Sequence, residues 1–172
     1  SALSNVASGT TMPPVAPVTV HNPWIVNDRV ADTHNLATMG GTYVNAYTPS
    51  GVVTPTTNEQ KAINVYNNQK RRLYHWADEP PNVGSNDIND PTYNQNVFGW
   101  SLCGRHATQA RTIAASAGFA HRQISLPGHW IYELQYDGFY HAFDTMTTMY
   151  VYDKASPRKI ASCAQMQADT TI

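Results

Sequence analysis

The chain has 172 residues, 41% hydrophobic and 10% aromatic, with charged residues at 13% and a formal net charge of −1. That is enough length and apolar mass for one domain with its own core, and it excludes a disordered segment. The near-neutral balance excludes a bulk electrostatic pull toward nucleic acid or a charged membrane surface, and no apolar run approaches the ~20 residues that span a bilayer.

Residues 1–20, SALSNVASGTTMPPVAPVTV, lack the basic start and apolar block of a signal peptide. They read as an extended leader ahead of a single domain over 21–172. Low charge and the Thr-, Asn- and Pro-rich leader point to an exported protein, extracellular or periplasmic. Residues 21–55 read as short β-like pieces, such as 42–47, broken at Gly40-Gly41 and at Pro49-Ser50-Gly51. A helix is predicted from Thr57, where Thr57 and Gln60 have capping-box spacing behind Pro55. Ala62, Tyr66, Gln69, Leu73 and Trp76 recur at helical steps and give it one largely apolar face. Pro80-Pro81 ends that helix at the latest. The only basic cluster, Lys70-Arg71-Arg72, reads as a solvated helix face.

Residues 80–97 read as a long polar loop, a kind of segment that is often functional. A second helix is expected to start near Cys103, with Ala107, Ala110, Ala114 and Ala117 on one face and Gly118 as its C-terminal cap. Three strands follow at 121–126, 129–136 and 139–144. Asp137-Gly138 joins the last two as a two-residue hairpin. A further β-like run covers 149–153, and the tail 160–172 holds a short helix. Helix, loop, helix and then antiparallel strands make an α+β domain.

The hairpin turn sets a register. If Tyr136 faces Phe139, then His129 and Asp144 are diagonal neighbours on one face, with Ile131, Glu133, Gln135, Tyr140 and Ala142 beside them. The other face carries Trp130, Tyr132, Leu134, Tyr136, Phe139, His141 and Phe143 and reads as core. Glu133 and Tyr140 are expected in sheet-surface roles. An imidazole beside a carboxylate is an oriented base. Cys103 at a helix start is the matching nucleophile, because the helix N-terminus and a nearby imidazolium both favour thiolate. Other readings of Cys103 are a buried small hydrophobe, a disulfide partner of Cys163, or a metal ligand with His106, His129 and Asp144. The metal reading has only one thiolate to offer. Cys163 reads as structural filler, His106 as a packed residue, and Arg105 as solvated or paired to a loop. Trp100 and Trp130 either wall a cleft or pack in the core.

The stretch GWSLCGRHATQARTIAASAGFAHRQISLPGHWIYELQYDGFYHAFDTM, residues 99–146, resembles the core of the transglutaminase-like superfamily. In that core a Cys heads a helix, and a hairpin follows whose first strand carries Gly-His and whose second ends in Asp. The anchors here are Cys103, His129 and Asp144, within a core of about 57–155. The resemblance implies a papain-like α+β fold, a Cys-His-Asp triad, and thioester chemistry on the amides of a protein or peptide substrate, with no cofactor or metal. It also implies an oxyanion donor upstream of the cysteine, for which Trp76 and Gln95 are the candidates. Leu102 stands where the animal enzymes carry glutamine, which favours a microbial peptidase or amidase over a cross-linking enzyme. A non-catalytic binding module on the same fold is the second expectation.

Overall fold

The computed structural model describes residues 31–76, 78–81, 84 and 87–169. The extended leader expected over 1–20 lies outside them. In chain order the elements are α1 (Leu36–Tyr43), β1 (Ala46–Thr48), β2 (Gly51–Val53), α2 (Asn58–Arg72), β3 (Tyr74–His75) and α3 (Pro91–Val97). Then come β4 (Trp100–Ser101), α4 (Cys103–Ser116), β5 (Ala120–Leu126), β6 (His129–Tyr136), β7 (Phe139–Phe143) and α5 (Cys163–Ala168). The described residues make an α+β arrangement with three small sheets: antiparallel β1–β2, parallel β3–β4 and antiparallel β5–β6–β7.

The helix α4 is the hub. It packs against β5 and β6 and also against α1, α2 and α3. Ala107, Ala110, Ile113 and Ala114 are buried along it, and three of those four are alanine, so the helix axis can lie close to its neighbours. Tyr66, Tyr132 and Phe143 fill the core beside them, with Tyr132 stacked on Phe143 at 5.8 Å.

Where β-like pieces are expected over 21–55, the chain instead forms α1 across Gly40-Gly41. The Asn35 side chain caps it, accepting from the Thr38 N–H at 2.8 Å. Gly40 is there for space. A Cβ at this position would lie 2.4 Å from Ser116 Oγ and 2.5 Å from the Ser116 carbonyl carbon. The backbones of α1 and α4 therefore meet at this residue, and Ser116 Oγ donates across the contact to the Leu36 carbonyl at 3.0 Å.

The helix α2 begins at the expected cap, where Thr57 Oγ1 accepts from the Gln60 N–H at 3.1 Å. The reciprocal half of the box is displaced by one residue, with Gln60 Oε1 accepting from the Thr56 N–H at 3.0 Å. The helix ends at Arg72, so Leu73 and Trp76 are not on its face. The chain turns there into β3, which pairs with β4. The basic cluster is not a free face either: Arg71 and Arg72 donate to the carbonyls of Tyr47 and Ala31. The expected polar loop contains α3, started by an Asp90 cap on the Thr92 N–H at 2.8 Å and by Pro91 in the first turn, a favoured N-terminal pairing.

The β6–β7 register is the expected one, with Tyr136 opposite Phe139 and Glu133 opposite Ala142. Asp137 and Gly138 have φ of 52° and 83°, the left-handed pair that a tight right-twisting hairpin needs. The run 149–153 contributes only bridges, Asp144 to Met149 and Tyr152 to Ile160. The expectation of one core face and one open face is corrected. Ala161 accepts from the Ala142 N–H at 2.9 Å and donates to Val151 at 2.7 Å, which carries α5 over the second face. Ile131, Glu133 and Ala142 are buried as a result. Glu133 is 0% exposed: it accepts from Arg122 Nε at 2.5 Å and from the Cys163 N–H at 2.7 Å. Arg122 stacks on Tyr140 at 4.0 Å. A buried carboxylate requires such partners, so Glu133 ties the tail to the sheet instead of serving at its surface.

Candidate active site

Asp144 follows β7 and opens the turn that leads to the tail. Its Oδ1 accepts from the N–H groups of Met146 and Thr147 at 3.0 and 3.1 Å. Its Oδ2 accepts from Thr147 Oγ1 at 2.6 Å and meets His129 Nε2 at 2.6 Å. Four donors therefore fix the carboxylate. Sequence reasoning missed Thr147, although an Asp followed by two threonines within three residues is a signal for side-chain bonding to nearby backbone. His129 stands at the first position of β6, with its side chain largely covered. A proton on Nε2 satisfies the carboxylate and leaves the lone pair on Nδ1. Among the described residues Nδ1 has no hydrogen-bond partner.

Cys103 is the first residue of α4 and a free, half-buried thiol. Its N-cap, Leu102, is extended and offers no side-chain cap, so the first N–H groups of the helix have no side-chain acceptor there. The adjoining residue, Gly104, lies under Trp130: a Cβ on Gly104 would sit 3.6 Å from Trp130 Cδ1. The start of α4 thus meets the start of β6 one residue from each expected catalytic group. No hydrogen bond or ion pair joins Cys103 to His129 or Asp144 among the described residues.

Trp76, Trp100, Tyr74 and Phe98 line a pocket of about 380 Å³ just upstream of Cys103. The Trp76 side chain is largely exposed, the residue being 63% exposed, and its backbone N–H donates to the Ser101 carbonyl at 3.3 Å. Gln95 has another task. It is buried, donates to Gln69 Oε1 at 2.6 Å and accepts from the Tyr43 hydroxyl. Its amide is committed inside the core, which argues against a role as oxyanion donor. Arg105 pairs with the loop through Glu79 at 3.4 Å and Asn89. His141 bonds Ile160 O at 2.5 Å and packs on Tyr136.

His129 and Asp144 also border a cavity of about 660 Å³ whose other walls include Leu126, Ile131, Met149, Val151 and Met166. Cys163 reaches the same cavity. Its thiol is pushed up to about 12 by burial, and further by Glu133, so it stays protonated at neutral pH and is a poor nucleophile.

Compared with family models, with curated proteins and with solved structures, the chain matches none. The site's chemistry is therefore read from its own residues. Among the described residues no three His, Cys, Asp or Glu side chains converge as metal ligands would, and no helix is long and apolar enough to cross a membrane.

His106, one turn from Cys103, is buried and donates from Nε2 to the Tyr74 carbonyl at 3.1 Å. Burial lowers its pKa, with the carbonyl bond opposing that shift. A histidine held neutral in the fold binds fewer protons than in the unfolded chain, so stability rises with pH. Its contribution is complete above the unfolded value of about 6.5 and is lost as pH falls below it. Denaturant midpoints measured from pH 7.5 to 5 are expected to fall, and to fall less steeply in His106→Gln.

Proposed function

We propose that the chain is a cysteine-dependent acyl-transfer enzyme acting on the amide bonds of protein or peptide substrates, built on a transglutaminase-like, papain-like fold. One observation carries this reading: His129 Nε2 lies 2.6 Å from Asp144 Oδ2, which leaves Nδ1 as the ring's unbonded nitrogen for a base. Cys103 is the nucleophile. His129 takes the thiol proton at Nδ1, and Cys103 Sγ bonds to the amide carbon. The tetrahedral intermediate collapses, the C–N bond breaks, and the amine leaves with the proton from His129. A thioester remains. Water, deprotonated by His129, then attacks it and frees the acid and the thiol. The backbone N–H at Cys103, with Trp76 as the upstream candidate, is suited to the oxyanion. The aromatic pocket of Tyr74, Trp76, Phe98 and Trp100 would receive substrate beside the cysteine. An extracellular or periplasmic setting fits the low charge.

The test is the pH dependence of Cys103 alkylation by iodoacetamide, in a Cys163→Ser background. An ordinary thiol of pKa about 8.5 is roughly 1% thiolate at pH 6.5, so an assembled pair reacts on the order of 10- to 100-fold faster there. That advantage is expected to vanish in His129→Ala. A second reading, a non-catalytic binding module on the same fold, is favoured by the absence of a bond between Cys103 and His129. An ordinary thiol profile, indifferent to His129, would establish that reading instead.

A further inference from the structure

We propose that the cavity bordered by His129 and Asp144 binds the acyl chain of an uncharged N-acyl amide. The amide end rests on the reading of His129 as the catalytic base; the apolar end does not. At about 660 Å³ the cavity falls within the range of sites that enclose a small organic ligand, roughly 300–1,000 Å³. That is more space than one amino-acid side chain needs.

Its chemistry is one-sided. Ile124, Leu126, Ile131, Met149, Val151 and Met166 supply aliphatic or thioether walls, and the two methionines can reshape around a flexible chain. Met149, 51% exposed, stands at the mouth. His129, Asp144 and Thr147 form a polar cluster where β6 begins and β7 ends, and Ser125 of β5 and Gln167 of α5 add neutral polar groups to the lining. Among the described residues no Lys or Arg lines the cavity, so a phosphate or carboxylate head group would meet no Lys or Arg counter-charge from them. Two buried carboxylates stand at this face, and both are already engaged: Asp144 by its four donors, and Glu133 by Arg122 and the Cys163 N–H. A neutral amide at the polar end and a hydrocarbon chain along the methionines match both halves.

The experiment uses the full chain as Cys103→Ala, so that binding is read without turnover. Butanoyl-, hexanoyl- and octanoyl-glycinamide are titrated against protein carrying ¹³C-methyl methionine. The Met149 and Met166 methyl signals are expected to move while Met39, buried in the core, stays still. Affinity is expected to rise about fourfold per added methylene until the cavity is filled. Met149→Glu, a change at an exposed position, is expected to weaken octanoyl-glycinamide at least tenfold. The proposal is overturned by unmoved Met149 and Met166 signals, by affinity independent of chain length, or by tighter binding of phenylacetyl-glycinamide, which would assign the cavity to an aromatic group. Failure of the catalytic reading shows elsewhere, in the Cys103 alkylation profile. Chain-length-dependent binding beside an ordinary thiol profile leaves the cavity assigned and the enzyme reading rejected.

Discussion

Under the proposed Cys103–His129–Asp144 mechanism, Asp144→Asn is expected to lower turnover of an amide substrate by on the order of 10³- to 10⁴-fold while leaving the protein folded. The reason is the position of one proton. Asp144 Oδ2 accepts from His129 Nε2, which keeps the proton on Nε2 and the lone pair on Nδ1. An asparagine presents an NH₂ group at that place if its oxygen keeps the Met146 and Thr147 N–H groups that Oδ1 now holds. Nε2 must then accept, the proton moves to Nδ1, and the ring can no longer take one from Cys103. Thr147 reverses its hydroxyl to accept from the new NH₂, so no buried bond is lost. Single-turnover rates supply the first readout and imidazole ¹⁵N shifts the second. An unchanged rate with the proton shown on Nδ1 would sink the assignment of His129 as the base.

Gly40→Val carries the largest expected effect on stability. The new Cβ would fall within 2.6 Å of three Ser116 atoms, two of them backbone, so no rotamer relieves the clash and α1 must move off α4. Overpacking of this kind costs about 3 kcal/mol, and more where backbone cannot yield. Its neighbour is the control. Around Gly41 there is open space, and Gly41→Ala is expected to stabilise by about 0.5–1 kcal/mol through helix propensity and a less flexible unfolded chain. Urea unfolding of the two variants should shift in opposite directions. If both shift the same way, the close approach of α1 to α4 is not what Gly40 provides.

The same residue shows what a sequence can and cannot reveal. Local rules carry information when cause and effect are close in the chain. Asp137-Gly138 dictates a turn, the turn dictates the β6–β7 register, and the register brings His129 to Asp144 across 15 positions. Thr57 marks the start of α2 for a similar reason. Gly40-Gly41 read as a break because local propensity knows nothing of Ser116, which lies 76 residues later and needs the space. The helix α3 was legible in principle, through Asp90 and Pro91, but its polar composition hid it. Glu133 was placed on the right face with the wrong environment, since alternation fixes direction and not what a later segment lays on top. Gln95 shows the same limit: nothing nearby in the chain announces that Tyr43 and Gln69 will claim its amide.

The bond from the Cys163 N–H to Glu133 bears on the order in which the molecule can be completed as it is made. When β5, β6 and β7 have all been synthesised, Glu133 has Arg122 but lacks its second donor, and the outer edge of β7 has no partner for the Ala142 N–H. Both arrive with residues 160–163. Until then the sheet holds a half-satisfied charge beside an open edge. Residues 160–163 are thus the segment that closes the sheet behind His129, and until they are in place Glu133 and the Ala142 N–H stay open to water.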